Sequence, residues 1–152
     1  MTTVIVGVDG SDEAHRALRF AVEEAKFRAA RLRVICAWEL PVGKWGEFPP
    51  PEESLHGPRR RAEELAAEVA AIVEKLAPNV ECECLAVEGE AGDVLLERSS
   101  DASMIVIGRH GHGRVADALG PVGDLFVGSV SQHIVRGARC PVVVVPHASS
   151  PE

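Results

Sequence analysis

The sequence predicts a single-domain α/β fold: a five-stranded parallel sheet in strand order 3-2-1-4-5, with helices on both faces. Three observations carry this expectation. The 152 residues suit one domain, 1–152, rather than two. Short apolar runs rich in β-branched residues alternate with amphipathic segments along the chain. The runs also differ in kind. Those at 3–8 and 104–107 are apolar throughout and belong at the centre of a sheet. The run at 80–87 carries Glu81 and Glu83 at alternate positions and belongs at an edge.

Thr3-Val4-Ile5-Val6-Gly7-Val8 reads as the first strand. Asp9-Gly10-Ser11-Asp12 is a turn in which Ser11 caps a helix, and Asp12 and Glu13 suit its dipole. Ala14, Leu18, Ala21, Val22 and Ala25 recur at helical spacing, with Ala17 and Leu32 extending the face, so the first helix is expected to reach about Arg31. Leu32 to Trp38 is the second strand. The prolines and glycines of 41–51 form a loop. The second helix starts near Glu52 to Ser54, carries Leu65, Val69, Ile72 and Leu76 as its apolar stripe, and stops at Pro78. The third strand spans Val80 to Val87, with Cys82, Cys84 and Ala86 on its inner face. A short helix at about Ala91 to Ser100 leads to the central strand at Met104 to Ile107. A glycine-rich connection, 108–127, precedes a helix at Ser129 to Gly137 with Val130, Ile134 and Val135 inward. Pro141 to Pro146 encloses the last strand.

A hydrophobic content of 46% and charged content of 26% mark a globular chain. No apolar run nears the ~18 residues of a membrane span, and the start lacks a basic leader, so the expected location is cytoplasmic. The four cysteines match no zinc spacing and read as reduced thiols. The net charge of −7 argues against nucleic acid as a partner. Charge is unevenly spread. Residues 1–101 hold 12 Lys/Arg and 20 Asp/Glu, whereas 102–151 hold four arginines against two aspartates. An anion site therefore belongs in the last third.

In open α/β sheets, ligands bind past the carboxyl ends of strands, where the winding reverses. Order 3-2-1-4-5 puts that crevice between Val8-Asp9-Gly10 and Gly108, with the end of the second strand flanking it. Gly108-Arg109-His110-Gly111-His112-Gly113-Arg114 has three glycines, two arginines and two histidines, and 102–116 has no acid. Such a loop brings backbone N–H groups close to an anion. Gly128-Ser129 opens a helix, a second anion site, with Ser131 a further hydroxyl. Rival chemistries are weaker. Gly111 to Ala116 fits GxGxxG/A, but only one strand follows it, and no P-loop motif occurs. His110-x-His112 lacks a fixed third ligand, and Ser129 sits in no GxSxG elbow.

Val4-Ile5-Val6-Gly7-Val8-Asp9-Gly10-Ser11 resembles the opening of the universal stress protein family. The stretches 105–111, 128–135 and 140–146 resemble its closing half. The family's nucleotide motif, G-x2-G-x9-G-[ST], is matched by Gly108, Gly111 and Gly128-Ser129, except that sixteen residues replace the nine. The resemblance implies an adenine nucleotide alpha hydrolase-like domain that binds ATP, with Mg2+ helping the phosphates. It implies that Asp9 contacts the adenosine, that the Ala37 backbone reads the adenine edge, and that Gly108, Gly111, Gly128, Ser129 and Ser131 hold ribose and phosphates. Val8, Ile107, Arg109, His112 and Val130 complete the implied set. The sequence itself offers no protein-held metal site and no catalytic constellation; the resemblance implies a stress-response regulatory role and a homodimer through the last strand, 140–147. Two alternatives stay open: an interaction module that binds no nucleotide because of the 112–127 insertion, and a slow ATP hydrolase.

Overall fold

A computed structural model describes residues 2–40, 52–109 and 128–146, with the main chain alone at 53–55. The elements are β1 (Thr3–Gly7), α1 (Asp12–Arg28), β2 (Arg31–Trp38), α2 (Glu52–Leu76), β3 (Cys82–Glu88), α3 (Ala91–Glu97), β4 (Ala102–Gly108), α4 (Ser129–Gly137) and β5 (Val142–Val145). All strand pairs are parallel, in the expected order β3-β2-β1-β4-β5.

Alternation of side chains along each strand divides the core in two. Val4, Val6, Leu32, Val34, Met104 and Val106 face α1 and α2, where Ala17, Leu18, Val22, Val69 and Val73 meet them. Ile5, Ile35, Ile105 and Ile107 face Val94 and Leu95 of α3 and Ile134 of α4. The chain moves outward from β1 through β2 to β3 with its helices on one face. It then returns to β4 and β5 with its helices on the other. Right-handed crossovers require that change of face when the direction reverses.

Several expected boundaries shift. α1 ends at Arg28, not Arg31, because Ala29 turns left-handed at φ 50° and closes the helix onto Ala25 and Lys26. The Arg31 amide then donates to Thr2 at 2.9 Å and enters the sheet, so Leu32 packs as a strand residue rather than extending the helix face. The inner stripe of α2 is Ala62, Ala66, Val69, Val73 and, just past its end, Ala77. Leu65 and Ile72 only flank that stripe, and Leu76 is 47% exposed. Small residues let α2 lie close to the sheet, which turns the longer ones aside. α2 stops before Ala77, where a turn closes from Val80 to Ala77 through Pro78. β3 consequently begins at Cys82 rather than Val80, and α3 stops at Glu97, three residues short of Ser100. Val135 of α4 is 55% exposed rather than inward, because Ser131 and Ile134 set the buried direction. The expected loops at 41–51 and 110–127 lie outside the described residues.

At the amino end of the sheet, Arg33 donates to Asp101 at 2.9 Å, to Glu83 at 3.1 Å and to the Arg98 carbonyl at 2.9 Å. The hydrogen bond from Arg33 holds the Asp101 carboxyl below its ordinary range. A carboxylate lowered in the folded state adds stability above its unfolded pKa of about 4, and that stability is lost as pH falls through the lower folded value. Urea midpoints compared above and below that window should drop less for Asp101→Asn than for the parent. Equal drops would show that the pair does not couple folding to acid.

Candidate functional site

β1 and β4 pair as far as Val6 and Val106 and then separate. Past that point lie Gly7, Val8 and Asp9 on one side, and Ile107, Gly108 and Arg109 on the other. β2 continues beyond β1: the last paired residue is Ile35, opposite Gly7, so Ala37 stands two residues further along. Val8 is buried and donates to the Ile35 carbonyl at 2.9 Å, so it anchors this rim. Asp9, Ala37 and Gly108 therefore stand at the carboxyl end of the sheet, where β1 and β4 part.

The turn after β1 is built on Gly10, whose φ of 86° suits a residue without a Cβ. It folds Asp9 back, so that one carboxylate oxygen accepts the Ser11 amide at 2.9 Å and the Ser11 hydroxyl at 2.6 Å. Ser11 in turn accepts the Ala14 amide at 3.2 Å and caps α1. Asp9 thus braces the cap, and its exposed carboxylate stands at the crevice rim.

Gly108 meets the start of α1 directly. A Cβ added there would lie 2.9 Å from Glu13 Cβ and 3.0 Å from the Glu13 carbonyl carbon. No side chain fits between β4 and α1 at this level. Arg109 then donates its amide to Val145 and accepts the Gly128 amide, both at 3.0 Å. That second bond brings the start of α4 to the end of β4 across eighteen intervening residues. Ser131 strengthens the junction. It is 2% exposed, and its hydroxyl reaches the carbonyls of Gly108 at 3.1 Å and Arg109 at 3.4 Å.

The helix starts differ in charge. Ser11 caps α1 with Asp12 and Glu13 in its first turn, and Glu90 caps α3 with Asp93 beside it. α4 opens on Gly128 with no side-chain cap and no acid in its first turn. Its leading N–H groups have no intrahelical acceptor, and among the described residues no side-chain cap or first-turn acid offsets its dipole. Ser129 is exposed there, whereas Val130 packs toward Ile134 and the isoleucines of the sheet.

The structure thus gathers Val8, Asp9, Ala37, Ile107, Gly108, Arg109, Gly128, Ser129, Val130 and Ser131 around one end of the sheet. Gly111 and His112 lie outside the described residues, as do His110 and the insertion at 112–127. Two features escaped the sequence. Glu13 packs on Gly108, and the only signal for it is its place just after the Asp9–Ser11 turn. His133 bonds Asp93 at 2.8 Å near Glu90, a grouping across forty residues with no local signal. Both Glu90 oxygens accept α3 amides, so this exposed cluster is first a helix cap.

Comparison with known proteins agrees with this architecture. The sequence profile of the universal stress protein family matches residues 1–146. A universal stress protein of Thermus aquaticus is 37% identical over 145 residues, covering 94% of this chain and 97% of that one. Against several mycobacterial universal stress proteins, the chain spans about half their length. The Archaeoglobus fulgidus universal stress protein in complex with dAMP superposes with a TM-score of 0.66 at 27% identity, covering 95% of this chain and 98% of that one. A universal stress protein in complex with cAMP gives 0.65 at 25% identity, covering 97% and 98%. The profile spans nearly the whole chain and the Thermus relative is 37% identical along almost its full length: this chain belongs to the universal stress protein family.

Proposed function

We propose that this chain is a cytoplasmic stress-response regulator that binds ATP at the carboxyl ends of β1 and β4. The observation that carries the reading is the uncapped, acid-free start of α4 held against the end of β4 by Arg109 and Ser131. The other helix starts with described caps are neutralised by their own side chains. This one remains for an external anion. Solved relatives binding dAMP and cAMP support an adenine nucleotide as the class of ligand. Asp9 would accept a ribose hydroxyl, the Ala37 backbone would read the adenine edge, and Gly128 and Ser129 would donate to phosphate. Ser131 acts at one remove, by fixing Gly108 and Arg109. Magnesium fits as a companion of the phosphates, with the Ser129 hydroxyl a hard oxygen donor at that end. Gly111 and His112 belong to the same proposed site.

Asp9→Ala should weaken AMP and ATP alike, since Asp9 stands at the adenosine end. Calorimetry returning parental affinity for both would remove Asp9 from the site. Mass spectrometry of small molecules released on denaturing the purified protein should find an adenine nucleotide. An interaction module without a nucleotide, the alternative raised by the sixteen residues between Gly111 and Gly128, would release none and bind none.

We also propose a homodimer through 140–147. β5 is an outer strand of four valines, all half-buried, with Pro141 and Pro146 limiting its length. Such an edge favours pairing with a second copy about a two-fold axis. Val143 faces the α1 side and Val144 the α4 side. Light scattering should give twice the monomer mass, and Val143→Lys or Val144→Lys should lower it. Folded dimers from both variants would place the seam elsewhere.

A further inference from the structure

Cys82 and Cys84 are two residues apart on β3 and therefore share one face. Their sulfurs lie 3.6 Å apart and are hydrogen-bonded, with either able to donate. Both are half-buried beneath α2, on an outer strand paired through β2. The other thiols are placed differently. Cys36 is buried, and burial pushes it up to about 12. Cys140 lies before β5, on the opposite edge of the sheet, and burial raises it also. The hydrogen bond from Cys82 lowers Cys84, and the same bond raises Cys82. A thiolate at Cys84 thus touches a thiol that can resolve it.

The geometry points to Cys82 and Cys84 as a reversible redox pair, which a hydroperoxide converts to an intrachain disulfide. The Cys84 thiolate attacks the hydroperoxide. An S–O bond forms, the O–O bond breaks, and the leaving oxygen departs as water or an alcohol with one proton. Cys82 then attacks the Cys84 sulfenic acid. The S–S bond forms, the S–O bond breaks, and hydroxide leaves as water with the Cys82 proton. Two thiols lose two electrons and the hydroperoxide gains them.

Cα atoms two apart in a strand are about 6.6 Å apart, near the top of the roughly 4.4–6.8 Å that a disulfide spans. Closing the bond therefore draws β3 inward against its register with Leu32 and Val34 of β2. A bond opposed by its own strand belongs to the easily reduced, labile class. The pair lies along β3, whereas the nucleotide proposal concerns the ends of β1 and β4, so neither rests on the other.

The test treats the full chain with hydrogen peroxide, alkylates it with iodoacetamide and maps the peptides by mass. The peptide holding Cys82 and Cys84 should lose two hydrogens and resist alkylation, and dithiothreitol should restore both sites. Its oxidation should run at least about tenfold faster than that of Cys36 or Cys140, as expected of a half-buried thiol held against its resolving partner beside thiols that burial keeps protonated. Cys82→Ser should leave a sulfenic acid at Cys84 that dimedone traps, and Cys84→Ser should suppress oxidation of the peptide. Equal oxidation of all four cysteines, or sulfonic acid at Cys84 without a disulfide, would overturn the proposal. The parent alone decides it if either variant fails to fold.

Discussion

Gly108→Val should lower the unfolding free energy by about 1–3 kcal/mol, the range for overpacking a well-filled core. The cause is a backbone wall. A Cβ at this position meets Glu13 Cβ at 2.9 Å and the Glu13 carbonyl oxygen at 3.1 Å. A flexible side chain would swing away, but the first turn of α1 can only move as a unit. Its movement carries along Ser11 and the Asp9 carboxylate bonded to it. One substitution should therefore lower the urea midpoint and weaken adenosine binding together. The comparison variant is Gly7→Ala, whose Cβ meets only the Leu95 side chain, at 2.8 Å. Leu95 can adjust its rotamer, so Gly7→Ala should cost less. A Gly108→Val midpoint equal to the parent's would show that α1 gives way without cost.

Gly128→Glu should cut ATP affinity at least about tenfold, which corresponds to 1.4 kcal/mol or more. Gly128 caps α4 through its backbone alone, and its amide is committed to the Arg109 carbonyl. A glutamate side chain there would put negative charge over the leading N–H groups of α4, where a phosphate would otherwise lie. The same charge suits the helix dipole, so the fold should persist. Loss of affinity with an unchanged urea midpoint is the signature. Parental ATP affinity in a folded Gly128→Glu protein would move the phosphates away from α4.

The strand order was legible because burial leaves a compositional record. Val4, Ile5 and Val6 at 3–7, and Ile105, Val106 and Ile107 at 102–108, sit between two helical layers and are apolar on both faces. Glu81 and Glu83 betray the edge. Helix boundaries were less legible. α1 stops at Ala29, a residue with no sequence mark of the left-handed turn it adopts. α2 turns toward the sheet a face lined by alanines, although leucine and isoleucine would bury more area. Close approach to the strands decides that face, and only the folded arrangement specifies it. Asp9, Gly108, Gly128 and Ser129 were legible in the site because each lies at the end of an element. The bond from Ser131 to Gly108, the contact of Glu13 with Gly108 and the His133–Asp93 pair were not. Each joins residues far apart in the chain, and the fold alone makes them neighbours.

On the proposed function, an adenine nucleotide sits where β1 and β4 diverge, with its phosphates at α4. Titration of isotope-labelled protein with ATP, followed by amide chemical shifts, tests it most directly. Saturable shifts are expected at Asp9, Gly10, Ala37, Gly108 and Gly128 to Ser131, with little change at Arg33, Glu83 and Asp101 at the opposite end of the sheet. No saturable shift at millimolar ATP, or shifts gathered at that opposite end, would contradict it.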